Sequence, residues 1–353
     1  MLQGVQVNIG SASYFTISST GVLSYVRGAG QGGGVPRWLR QDGAFESDCP
    51  GGPCELGELT SQQGLFANPA LSPDAQRIAF EFRLLGAARN DIWILDLETR
   101  TYAPLTFEGN NARPIWSPDG DDVGFVSDRG GAFAFYSRPS NFGGEPRLIL
   151  EAPAGGEILD AVWTPDGQSL VYRQTSERQA DTPEASRNSD ILRVALDPRG
   201  EPFPVAATRF TEGSPSVSPD GRWVAFSSDV SGRREVFVAP LDGSGGRIPV
   251  SVNGGSVPVW TADGTGIFYE SSDVNNVTWL VADVRTDPDF AVVGRRQLMS
   301  NANFMSSQRV HANYDVTADG QHLVVISVRF ADVGSRPVIV TNWFEELRER
   351  LGN

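Results

Sequence analysis

The chain has no lysine. Its 29 basic residues are all arginine and face 43 Asp and Glu, for a net charge of −14 over 353 residues. Without Lys there is no Schiff-base chemistry and no Walker-type grip on a phosphate. Such acidity also excludes nucleic acid and anionic membranes as partners, because both need a basic footprint. Histidine occurs only at 311 and 322, so a three-His metal centre is excluded. No G-x-S-x-G occurs, which excludes a nucleophile-elbow hydrolase. No apolar run reaches the about 18–20 residues that span a bilayer, so no membrane insertion is expected of this segment. No basic, apolar, small-residue order marks a leader peptide. Gly (39) and Pro (23) are plentiful instead, a turn-dense, β-leaning composition.

A short phrase recurs: a strand ending in an apolar residue, then Ser/Thr-Pro/Ala-Asp-Gly, then a second strand. Full or nearly full copies start at Ser72, Ser117, Thr164, Ser218, Thr261 and Thr317, and a degenerate copy spans Ile17-Ser18-Ser19-Thr20-Gly21. Pro presets the first turn dihedral, Asp bonds its own backbone and Gly takes positive φ, so each copy predicts a tight hairpin. A third strand and a weaker fourth follow each hairpin. Four strands per roughly 45 residues is the period of a β-propeller blade, and a solenoid would need fewer strands per unit.

Seven copies predict an all-β, seven-bladed propeller of four-stranded blades, formed as a single domain over 1–353. Only three strands follow the last copy, ending with Pro337-Val338-Ile339-Val340. Residues 2–9 read as an orphan strand, and an unpaired edge is a liability. The expected solution is a three-plus-one closure, in which 2–9 completes the last blade. Blades then fill 10–343, and a short helical tail is expected at 344–353. The rival count is six blades.

The repeats resemble the WD40-like PD40 repeats of TolB-type propellers over essentially the whole chain, specifically at six copies and weakly at the first. Val340-Thr341-Asn342-Trp343-Phe344-Glu345-Glu346-Leu347 is similar to the end of propellers attached to bacterial serine/threonine kinases, where a membrane span usually precedes the propeller. The chain is thus a stand-alone relative or an excised domain. The resemblance implies a binding platform on the extracytoplasmic (periplasmic or extracellular) side. Its expected partners are a protein, a peptide or a carbohydrate such as a glycan.

In such a fold the binding region is the loop face and the central channel. Four residues before each phrase Ser/Thr begins the innermost strand: Tyr14, Asn68, Arg113, Asp160, Ser214, Val257 and Asn313. Their polar members, with Glu157 and Glu212 nearby, are the candidate ligand-binding residues. The competing reading gives them channel water and strand ends to satisfy. Asp160, Glu157 and Glu212 could offer oxygens to Ca²⁺, and Arg113 could take a ligand carboxylate in a fork. Asp160 with His311 as base defines the alternative function, a metal-assisted hydrolase or lyase at the channel mouth. The competing readings are solvated acids, an Arg–Asp bridge and an exposed His.

Cys49-Pro-Gly-Gly-Pro-Cys54 forms a tight loop that suits a disulfide and hence an oxidising compartment, with two free thiols as the alternative. Gly28, Gly30 and Gly33 fit G-x-G-x-x-G, but no helix follows, so they read as a hairpin loop. Arg173 to Asp190 reads as a long polar insertion, either a contact surface or disordered. Trp93, Trp116, Trp163, Trp223 and Trp260 are expected to pack between blades.

Overall fold

The computed structural model describes residues 15–17, 23–26, 35–40, 64–84, 86–175, 188–272, 277–301, 312–318, 322–327 and 337–340. They divide between two compact units, residues 34–327 and a smaller one joining 1–33 to 328–353.

In the larger unit, five antiparallel sheets have four strands each, in simple sequence order. They are the blades: residues 64–104, 111–150, 157–206, 212–249 and 256–301, here blades 1 to 5. First strands of successive blades touch, so these strands are innermost. A three-stranded sheet continues the series. It pairs Tyr314–Val316 with His322–Ser327, and His322–Ser327 with Val35–Arg40. One side packs on blade 5 through Val257, Phe268, Trp279, Tyr314 and Leu323, and the other packs on blade 1.

Among the described residues the count of four-stranded blades is therefore five, not seven. The first and last repeat copies do not build complete blades, because each finds its partners in the other. In the smaller unit the hairpin of Phe15–Ile17 and Leu23–Val26 pairs with Pro337–Val340. That last strand was expected beside His322–Ser327, but Val35–Arg40 occupies the edge it would have used. The expected closing strand, 2–9, and the expected helical tail, 344–353, lie outside the described residues. No helix occurs among the described residues.

The repeated phrase folds as its chemistry requires. Ser72, Ser117, Thr164, Ser218 and Thr261 each donate a hydroxyl hydrogen bond to the Asp two residues on. The same hydroxyls accept the N–H five residues on, at 2.9–3.0 Å. The Asp in turn accepts the N–H two residues beyond itself. These bonds hold the carboxyls of Asp74, Asp119, Asp166 and Asp263 below the usual carboxylate range, the Ser or Thr hydroxyl contributing most. Gly120, Gly167, Gly221 and Gly264 take φ of 68–75°, as the turn demands.

Blades are joined by their aromatic residues. Trp116 donates its indole N–H to the Ala70 carbonyl of blade 1 at 3.0 Å, and Trp260 donates to Ser216 of blade 4 at 3.1 Å. The Trp163 ring lies across Gly124 of blade 2 and packs edge-on against Phe135, so any side chain at 124 would strike the indole.

Candidate functional site

Four of the innermost strands carry the same distortion at the same repeat position. Asn68, Arg113, Ser214 and Val257 all have φ between 47° and 56°. Each is followed by a buried proline: Pro69, Pro114, Pro215 and Pro258. Pro has no N–H to give to the ladder, so within a sheet it belongs at a bulge. The pairing accordingly skips two residues in each strand, after Ala67, Ala112, Gly213 and Ser256. A left-handed conformation costs a non-glycine residue roughly 1–2 kcal/mol, and β-branched Val257 is the most costly choice. Blade 3 has Ala161 in place of the proline, and Asp160 keeps an ordinary φ beside a smaller shift.

Side chains from the neighbouring sheet region meet N–H groups of the inner strands. Buried Asn313, which immediately precedes the strand Tyr314–Val316, accepts the Asn68 N–H at 2.9 Å, and half-buried Asp315 of that strand accepts the Leu71 N–H at 2.7 Å. Glu81 of blade 1 accepts the Arg113 N–H of blade 2 at 2.7 Å. It also accepts the side-chain amides of Asn68 and Asn90. Asn313, Asn68, Glu81 and Arg113 thus form one continuous polar chain across three sheets.

Of the residues the sequence singled out, this chain brings together Asn68, Arg113 and Asn313. Glu157 and Asp160 lie buried on the strand Glu157–Trp163, and Asp160 stands opposite Arg173 in the ladder. Glu212 opens the strand Glu212–Val217 and is fully buried. It accepts the Thr208 hydroxyl at 2.7 Å and faces Arg247 at 3.5 Å. Burial pushes the Glu212 carboxyl up, against the opposing effects of Ser228, Thr208 and Arg247. These three acids do not assemble into the expected ion site, since among the described residues no three His, Cys, Asp or Glu side chains could share a metal ion. Tyr14, His311, Cys49 and Cys54 lie outside the described residues. The expected Cys49–Cys54 bridge thus lies outside them too and lends no support to location.

Sequence reasoning missed a second ring of charges. Nine residues after the phrase Ser/Thr stand Glu81, Arg173 and Glu270, in blades 1, 3 and 5. All three are buried, Arg173 completely. Glu81 interrupts an apolar run, Ala79-Phe80-Glu81-Phe82, whereas Arg173 and Glu270 each end one, Leu170-Val171-Tyr172 and Ile267-Phe268-Tyr269. Arg173 is consequently no part of a loop, because the strand Ser169–Thr175 contains it.

A ring of four-stranded blades with a polar inner wall defines a β-propeller. Residues 55–204 match the family model of the TolB beta propeller domain. Over 190 residues it is 28% identical to the Tol-Pal system protein TolB of Francisella tularensis, an alignment covering 54% of this chain and 41% of that protein. The chain therefore spans less than half the length of this curated relative. The crystal structure of TolB from Acinetobacter baumannii superposes with a TM-score of 0.52 at 21% identity, over 78% of this chain and 67% of that one. An oligogalacturonate lyase in complex with manganese gives 0.52 at 19%, over 87% and 76%. At such identities the structural likeness is one of fold alone.

Proposed function

We propose that this protein is an extracytoplasmic binding propeller that recognises a protein or peptide through its loop face and inner channel wall. The observation that carries the reading is the recurrent X-Pro bulge. Four strained residues at one repeat position are hard to explain by packing alone, and strain of this kind collects where backbone groups serve a ligand. The three polar members, Asn68, Arg113 and Ser214, suit peptide groups, which need donors and acceptors in alternation. The Tol-Pal system relative supports a protein partner and an extracytoplasmic location.

The test is selection from a displayed peptide library against the purified protein, followed by binding of the enriched peptides to Ser214→Trp, which obstructs the inner wall. The expected result is a family of competing peptides whose affinity falls at least about tenfold in the variant. Enriched peptides that bind the variant unchanged would refute the reading. So would turnover of a polyuronide or ester by the protein that a chelator abolishes.

A further inference from the structure

Large side chains from the repeat fill the boundaries between blades. Between blades 1 and 2, Arg77 lays its guanidinium on the Trp116 indole, with Cζ 4.5 Å from the ring centroid. Between blades 2 and 3, Trp163 lies across Gly124. Between blades 4 and 5, Trp223 and Trp260 both pack on Phe290. The boundary of blades 3 and 4 has small residues at these places. Val217 stands before the phrase, where Trp116, Trp163 and Trp260 stand in their blades. Ser169 stands five residues after the first of the phrase, where blades 1 and 4 have Arg77 and Trp223.

A cavity of about 390 Å³ lies at this boundary, between the hairpin tips of the two blades. Buried Thr164 and Leu241 line it, as do exposed Pro165 and Pro219 of the tips. Half-buried Arg193, from the third strand of blade 3, lines it too. The same ladder position holds Ile94, Ser137, Val238 and Val281 in the other blades, so a cation there is particular to blade 3. Arg193 donates to the buried Ser169 hydroxyl at 3.2 Å, which brings its guanidinium to the place from which Arg77 extends in blade 1. Among the described residues no aromatic ring stacks on Arg193 as Trp116 does on Arg77.

We propose that this cavity is a second binding site, which takes a tryptophan side chain of a protein partner and stacks its indole on the Arg193 guanidinium. The chain itself supplies the template, since Arg77 and Trp116 make that contact two boundaries away. Tryptophan is the best ring for a guanidinium to cover, and a planar guanidinium stacks where an ammonium would not. An engineered cavity of about 150 Å³ admits benzene, so there is room here for an indole. An inserted indole also needs an acceptor for its N–H. Asp166 lines the cavity and makes both of its hairpin bonds through Oδ1, which leaves Oδ2 to accept it. The cavity lies at the hairpin end of the inner strands, away from the bulges, so the proposal does not rest on the loop-face reading.

The probe is N-acetyl-5-fluorotryptophanamide, titrated by fluorine NMR so that the protein's own tryptophans stay silent. Wild type is expected to bind it saturably, and N-acetyl-leucinamide should displace it only at concentrations at least about tenfold higher. Arg193→Met keeps a long side chain at a half-buried site and removes the charge, so it should keep the fold and lose about fivefold in affinity. Val217→Trp restores the residue of the other blades. It should raise the melting temperature and abolish binding of the probe; where it fails to fold, Arg193→Met decides. Ser214→Trp, at the inner wall, should bind the probe as wild type does. The proposal is overturned by the absence of saturable binding to wild type or by equal displacement by the leucine compound. It is equally overturned by unchanged affinity in Arg193→Met, or by loss of the probe in a folded Ser214→Trp, which would move its site to the inner wall.

Discussion

Ala75 occupies the turn position that Gly120, Gly167, Gly221 and Gly264 hold in the next four blades, and it is forced to φ 54°. Its N–H still closes the turn on the Ser72 carbonyl at 2.8 Å, as Gly120 does on Ser117 at 2.9 Å. The residue therefore bears the cost of a left-handed backbone. Ala75→Gly should stabilise the protein by about 1 kcal/mol, read as a rise in denaturation midpoint with unchanged slope. A fall in midpoint would mean that the greater freedom of glycine in the unfolded chain outweighs the relief. Glu81 is a different kind of residue, a buried acid whose oxygens accept from two side-chain amides and a backbone N–H. Its position looks apolar in sequence because its neighbours are apolar. It is kept by what the next blade presents to it.

At the scale of elements, the absence of lysine acquires a meaning. Arginines repeatedly cross blade boundaries to backbone carbonyls. Arg199 reaches Ile149 at 2.8 Å, Arg222 reaches Thr286 at 2.8 Å, and Arg295 reaches Val250 at 2.6 Å. Arg138 serves three carbonyls at once, those of Gly144, Phe142 and, across the boundary, buried Leu105. A planar fork with five donors can do this, and an ammonium on a flexible stem cannot hold three such directions together. Arg138→Lys should cost about 1–2 kcal/mol in chemical denaturation despite keeping its charge, whereas a loss below about 0.3 kcal/mol would show the fork to be dispensable.

The hairpins were fully legible in the sequence, because Ser/Thr, Asp and Gly each satisfy a local backbone need that no distant residue supplies. Asn68, Arg113 and Asn313 were legible as positions, by counting back from the phrase. Their linkage through Glu81 was not, since it depends on a neighbouring blade. The bulges were readable but unread: Pro69, Pro114, Pro215 and Pro258 stand at one repeat offset, and a proline inside a strand announces a break in the ladder.

For the molecule as a whole, the count of sequence repeats overstated the count of blades. A repeat copy identifies a hairpin, but a blade needs four strands, and near the two ends the strands are shared out by pairing. Val35–Arg40 lies beside His322–Ser327 in an unbroken register from Arg40↔His322 to Ser327↔Val35. In an antiparallel ladder alternate N–H groups face the partner, so Arg37→Pro and Trp38→Pro should differ. One should lose about 3 kcal/mol, and the other should be much milder. Equal, small losses in thermal melts would show that this pairing does not secure the three-stranded sheet.

That ladder also sets a timetable for biosynthesis. Val325, the pairing partner of Arg37, leaves the ribosome only after everything between them has been made. Blades 1 to 5 are each contiguous and can mature as they emerge. The seam between earlier and later chain must wait, holding one exposed strand edge in the meantime, so translation speed and chaperone access between Val35–Arg40 and His322–Ser327 should matter more for this protein than its average stability suggests.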